Sequence, residues 1–90
     1  MTEAEFRAQL AAQGYDEPTV AEREANFATT EHTHEFSASA LILEGEVNVM
    51  TATGKTTCHA GDTFMLASGI PHHEEYGAQG ARFLVGRRVP

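Results

Sequence analysis

Three histidines are the side chains of this sequence with the type and spacing to do chemistry: His32 and His34 in Glu31-His32-Thr33-His34, and His72 in Pro71-His72-His73. Thr29, Thr30 and Thr33 favour an extended backbone from Thr29 to Glu35. Successive side chains of a strand alternate, so His32 and His34 point to one face. At a rise of about 3.3 Å per residue, their Cα atoms stand about 6 to 7 Å apart. From there both imidazoles reach one metal ion in adjacent coordination positions. Imidazole suits zinc, iron, nickel and copper, and a third nitrogen from another strand completes one triangular face of the ion's shell. His72 is the candidate for that nitrogen. A His-x-His pair read alone is also compatible with two histidines satisfied by hydrogen bonds.

Ninety residues make a single domain. At that length only about 60 to 65% of the unfolded chain's surface is buried, which leaves room for stabilisation by a metal or a second subunit. Six basic residues against thirteen acidic ones give a net charge of -7, which repels nucleic acid and anionic membrane surfaces. The lone Cys58 excludes an internal disulfide, and its apolar setting marks an inert buried thiol. The polar start Met1-Thr2-Glu3 and the absence of a long apolar run give no signal peptide and no membrane span, so a cytoplasmic location is expected. The chain ends at Pro90 with no helix-turn-helix attached, which disfavours a gene-regulatory role.

The elements that must position the histidines follow in order. Thr2 to Gln13 is predicted as a helix, with Thr2 and Glu5 as a capping box, Phe6 and Leu10 on one face, and Gly14 as its end. This helix and its lead-in, residues 1–17, precede a barrel over residues 18–90. Alternation from Pro18 to Ala25 predicts a strand, and Asn26 a sharp turn. Ala38 to Leu43 and Val47 to Thr51 read as two strands broken at Gly45. A hairpin turn at Thr53-Gly54-Lys55 leads to a strand over Thr56 to His59, a turn at Ala60-Gly61-Asp62 and a strand over Thr63 to Leu66. After a turn at Ser68 to Pro71, His72 begins a strand, Gly77 to Gly80 is the last turn, and Ala81 to Val89 the final strand. Many short strands with glycine turns predict an all-β antiparallel sandwich or barrel. Phe36, Ile42, Met50, Phe64, Met65 and Phe83 are the expected core.

This arrangement resembles the cupin family, small jelly-roll barrels built as a double-stranded β-helix. The family's first motif is a Gly, five residues, His-x-His, three or four residues, Glu, six residues, Gly. The chain has Asn26, five residues, His32-Thr33-His34, three residues, Ala38, six residues, Gly45. The second motif is a Gly, five residues, Pro-x-Gly, two residues, His, three residues, Asn. The chain has Gly61, five residues, Ala67-Ser68-Gly69, two residues, His72, three residues, Tyr76. The resemblance implies a barrel in which His32, His34 and His72 hold a divalent metal ion, iron, zinc, nickel or manganese. It also places the family's carboxylate ligand on Ala38, which has no donor atom. Glu35 would replace that ligand only if a bulge re-aimed it.

Three neutral imidazoles leave a divalent ion its full charge and open positions, a centre that attracts a small anionic chelator. Three-histidine members of the superfamily include thiol dioxygenases and a diketone-cleaving dioxygenase, so the resemblance implies oxygenase-type chemistry on a small molecule. A non-catalytic binding or sensor domain and a metal-free structural barrel are the alternatives. Glu74 and Tyr76 share strand parity with His72 and are the expected catalytic acid, base or hydrogen-bonding groups. His73 is expected to point the other way, and His59 to lie on a surface turn. A thin core and uncovered outer strands predict a homodimer, with Val20 and the terminal strand through Val89 as contacts.

Overall fold

The computed structural model describes residues 1–90. Helix α1, Glu3–Ala12, begins at the expected capping box, in which the Glu5 amide donates to Thr2 Oγ1 at 3.1 Å and the Thr2 amide to Glu5 Oε1 at 2.8 Å. Phe6 and Leu10 bury its apolar stripe against Tyr15, Leu41 and Leu84. The helix lies on the outside of the sheet, on the residues opposite in parity to those that face the interior.

Five strands follow: β1 (Thr19–Arg23), β2 (Ser37–Thr51), β3 (Gly54–His59), β4 (Thr63–Leu66) and β5 (His73–Arg88). They form one antiparallel sheet in the order β1-β5-β2-β3, with β4 also pairing β2. One edge of β2 runs along β5; its other edge is shared, β4 taking Ala38 to Leu41 and β3 taking Glu46 to Thr51. On a straight strand Ala38 and Val49 would lie about 36 Å apart, at about 3.3 Å per residue. Both belong to one interior cluster with Ile42, Val47, Tyr76 and Val85, in a molecule whose longest extent is 33 Å. The sheet is therefore rolled over on itself around that cluster.

Two expected strand breaks are bends instead. Gly45 does not end a strand: β2 runs through it with bulges between Ile42 and Glu44 and between Gly45 and Val47. Nor is Gly77 to Gly80 a turn, because β5 is continuous from His73 to Arg88. Gly45 (φ 84°) and Gly80 (φ 69°) sit in the left-handed region, and a Cβ on Gly45 would collide with the Gly80 carbonyl. A Cβ on Gly80 would in turn collide with the Arg23 carbonyl. These glycines let three strands pass in contact where the sheet turns its corner.

Three smaller expectations also change. Thr29 to Glu35 is not a strand; it joins the sheet region by one antiparallel bridge, His32 with His72, beside a second at Ala28 and Glu75. His72 thus precedes β5 by one residue and meets its partner through that bridge. Met65 is 61% exposed, because on β4 Phe64 and Leu66 face inward and strict alternation turns the residue between them out. Ile42 and Phe83 are buried as expected, and Phe36 and Phe64 are partly buried against the same cluster.

Candidate metal centre

His32, His34 and His72 come together although the second and third lie 38 positions apart in sequence. The bridge does this: the His32 amide donates to the His72 carbonyl at 2.9 Å, and the His72 amide to the His32 carbonyl at 3.0 Å. The Gly69 amide donates to the His34 carbonyl at 2.9 Å and ties the preceding turn to the same segment. One ring nitrogen from each histidine then lies within 4.8 Å of the other two. Two nitrogens each about 2.1 Å from one zinc ion stand at most about 4.2 Å apart, so small rotations of the rings close the triangle on a single ion.

The hydrogen bonds of the rings leave the inward nitrogens free. His32 Nδ1 lies 2.7 Å from the Thr30 carbonyl and His72 Nδ1 2.9 Å from the Ile70 carbonyl. A carbonyl only accepts, so each Nδ1 carries the proton and each Nε2 presents a lone pair. Fixing the tautomer through the other ring nitrogen is how protein groups orient metal-bound imidazoles. His72 is 1% exposed, and its Nε2 has no hydrogen-bond partner. A buried, unpartnered acceptor facing two more imidazoles is a cost in the absence of a cation and a ligand in its presence. The donor set fits a divalent ion. Burial first, and then repulsion from positive charge on His72 or His32 whenever either is protonated, hold the His34 pKa below the ordinary imidazole value of about 6.5, which favours the neutral ring.

His32 and His34 of the triad line a cavity of about 430 Å³ walled largely by apolar side chains. Glu74 and Tyr76 both line it. The Tyr76 hydroxyl donates to Glu74 Oε2 at 2.9 Å, while Glu74 Oε1 lies 3.8 Å from His72 Nε2. The Thr29 hydroxyl oxygen accepts from the Glu74 amide at 3.0 Å, which fixes the start of β5 against the histidine segment. Burial first, then the negative charge of Glu74 and the hydrogen bond to it, push the Tyr76 hydroxyl far above its ordinary pKa of about 10. Ala38 also lines the cavity and stands opposite Leu66 on β4 and Arg87 on β5. Glu35 is exposed and lies outside the cavity wall, His73 is half-buried outside it, and His59 pairs on the surface with Glu46 at 2.8 Å.

Sequence reasoning missed two lining residues, Arg23 and Arg87. The signal was parity: Arg87 follows Phe83 and Val85 on the inward face of β5, so the terminal arginine pair is split between the two faces. It also assigned Phe36 to the core alone, whereas the ring stacks on His34 at 4.8 Å and lines the cavity.

A rolled antiparallel sheet whose interior carries histidines from two motifs in this order is a cupin barrel, a jelly-roll fold. The model of the AraC-like ligand binding domain family matches residues 15–85, and the chain belongs to that family. Its fold is similar to that of a structural-genomics protein of unknown function from Rhizobium leguminosarum, with a TM-score of 0.74 and 16% identity over 82% of this chain and 72% of that one. A conserved protein of unknown function from Streptococcus pyogenes gives a TM-score of 0.70 and 22% identity over 81% of this chain. A cupin-2 domain protein from Shewanella frigidimarina gives 0.64 and 14% over 79% of this chain and 67% of that one. The chain spans 63% of the length of the Streptococcus protein. No curated protein sequence matches the chain. No helix is long and apolar enough to cross a membrane.

Proposed function

We propose that this domain holds a divalent metal ion on His32, His34 and His72 and uses it to bind and act on a small anionic molecule. The observation that carries the reading is the buried, unpartnered Nε2 of His72, whose Nδ1 proton is committed to a backbone carbonyl. A bound ion would supply Lewis acidity and, if it is iron, a redox centre for oxygenase-type chemistry. Around it the chain's own residues divide the work. Glu74 would take a proton from a molecule lying on the histidines, a role supported by its Oε1 lying 3.8 Å from His72 Nε2, and the Tyr76 hydroxyl donates to the other oxygen of that carboxylate. Phenylalanine and small apolar side chains exclude water from the wall. The family match supports a second reading, a ligand-binding domain without catalysis.

Elemental analysis of the purified protein tests the metal, with about one ion per chain expected. The paired substitutions His34→Ala and His72→Ala are expected to abolish retention; unchanged metal content would refute the site. Ligand imidazoles must be neutral, so binding is expected to weaken in acid, with the lowered pKa of His34 moving the loss of that ligand below the ordinary imidazole range. Oxygen uptake with ferrous iron restored, across thiols, diketones and 2-oxo acids, separates the two readings. An absence of turnover alongside tight anion binding would favour the non-catalytic one.

A further inference from the structure

The charge of the cavity runs against that of the molecule. The chain carries a net -7, yet the charged side chains lining the cavity, besides its histidines, are Arg23, Arg87 and Glu74. The ion pairs made by arginines in this fold belong to Arg7 and Arg82, and neither Arg23 nor Arg87 has a carboxylate partner. Each is instead laid over a phenylalanine of the wall, Arg23 at 5.6 Å from the Phe83 ring centre and Arg87 at 5.4 Å from that of Phe36. Both guanidiniums are exposed at the cavity rim; Arg23 Nη1 donates to the Glu22 carbonyl at 2.8 Å, and stacking holds each group flat with its remaining N–H groups available to a carboxylate.

The two arginines stand at opposite ends of one inward face. Arg23 is the cross-strand partner of Ala81, and Arg87 lies six residues further along β5, about 20 Å between Cα positions at about 3.3 Å per residue. The Arg87 end adjoins the triad, since Phe36 beneath it stacks on His34. The Arg23 end adjoins Tyr76, whose ring stacks on Phe83 at 6.3 Å. Glu74, whose Oε1 lies 3.8 Å from His72 Nε2 and whose Oε2 accepts from the Tyr76 hydroxyl, repels negative charge from that part of the wall.

We infer that the ligand of this cavity is a short dicarboxylate with an apolar middle, one carboxylate received by Arg87 beside His34 and the other by Arg23. The inference rests on the anionic-ligand reading above and narrows it to a chemical class.

Calorimetric titration of the full chain, metal-free and zinc-loaded, tests it, with succinate through suberate as probes against the monocarboxylates butyrate through octanoate. At least one dicarboxylate is expected to bind about tenfold or more tightly than the monocarboxylate of equal length, the size of one charge-assisted hydrogen bond. Arg23→Gln and Arg87→Gln are each expected to remove that gain with zinc stoichiometry unchanged. Arg88→Gln deletes the same charge at the next residue, which lies over the Tyr15 ring at 4.8 Å, and is expected to keep the gain. Equal affinity for the two probe series in both metal states, or a gain that survives both cavity variants, overturns the inference. A dicarboxylate gain in a protein that takes up no zinc would uphold it and remove the metal reading; zinc uptake with no such gain would do the reverse.

Discussion

At the scale of single residues, Ala38 decides the character of the site. A carboxylate there would face the cavity beside His34 and stand opposite Arg87 across the β2–β5 ladder. It would cancel one charge of a bound ion and occupy the guanidinium that otherwise receives an anion. Ala38→Glu is therefore expected to raise divalent-metal affinity and to weaken binding of a simple carboxylate by about tenfold or more, the scale of a lost charge-assisted hydrogen bond. Paired titrations of metal and of anion into wild type and variant measure both. Equal metal affinity in the two would mean that position 38 does not reach the ion. The grouping of the three histidines was legible from the two motifs, although the strand expected over Thr29 to Glu35 does not form and the bridge from His32 to His72 brings them together instead. Arg23 and Arg87 were not, because an arginine at a strand end reads as a solvated charge until a register shows which face it takes.

At the scale of elements, the same glycines that signal turns in the sequence serve here as corners within strands. A sequence records that a residue lacks a side chain but not whether the chain stops there or bends there. The deciding fact is long-range, the contact among Gly45, Gly80 and Arg23 that only the rolled sheet creates. Gly80→Ala would meet both a left-handed backbone and the Arg23 carbonyl, whereas Gly61 (φ 91°) has open space around it. The conformational cost alone is about 1 to 2 kcal/mol, and overpacking adds about 1 to 3 kcal/mol. Chemical denaturation is expected to show Gly80→Ala less stable than Gly61→Ala by at least about 1 kcal/mol, the overpacking part. Comparable losses in the two would show that the corner can relax. Helix α1 was fully legible, since capping box and apolar pair are local signals.

For the whole molecule, the sheet rolls up but does not close its edges. β1 pairs with β5 alone, so its second edge is bare, and Val20 on it is 53% exposed. An unpaired edge carrying an apolar residue is a surface that a second copy of the chain covers well. A homodimer is the expected state at tens of micromolar, and Val20→Lys is expected to shift it toward monomer. Sedimentation equilibrium of both proteins measures this; a monomeric wild type would remove the expectation.

The paired amide-to-carbonyl hydrogen bonds between His32 and His72 make the ligand triangle and the hydrogen-bond ladder a single object. Opening that bridge separates two of the ligands, so the site carries its own gauge in the hydrogen exchange of two backbone amides. A ligand present at about 100 times its dissociation constant adds about 2.7 kcal/mol to any opening that releases it, a slowing of about 100-fold. Zinc loading is expected to slow exchange at the His32 and His72 amides by up to that factor, and much less along β3, whose ladder with β2 stands apart from the ligands. Equal slowing at the Cys58 amide would mean that zinc tightens the whole barrel, and no slowing at His32 would mean that the ion leaves without parting the strands. Exchange rates measured without any substrate thus report how small a fraction of the molecules has the triangle open.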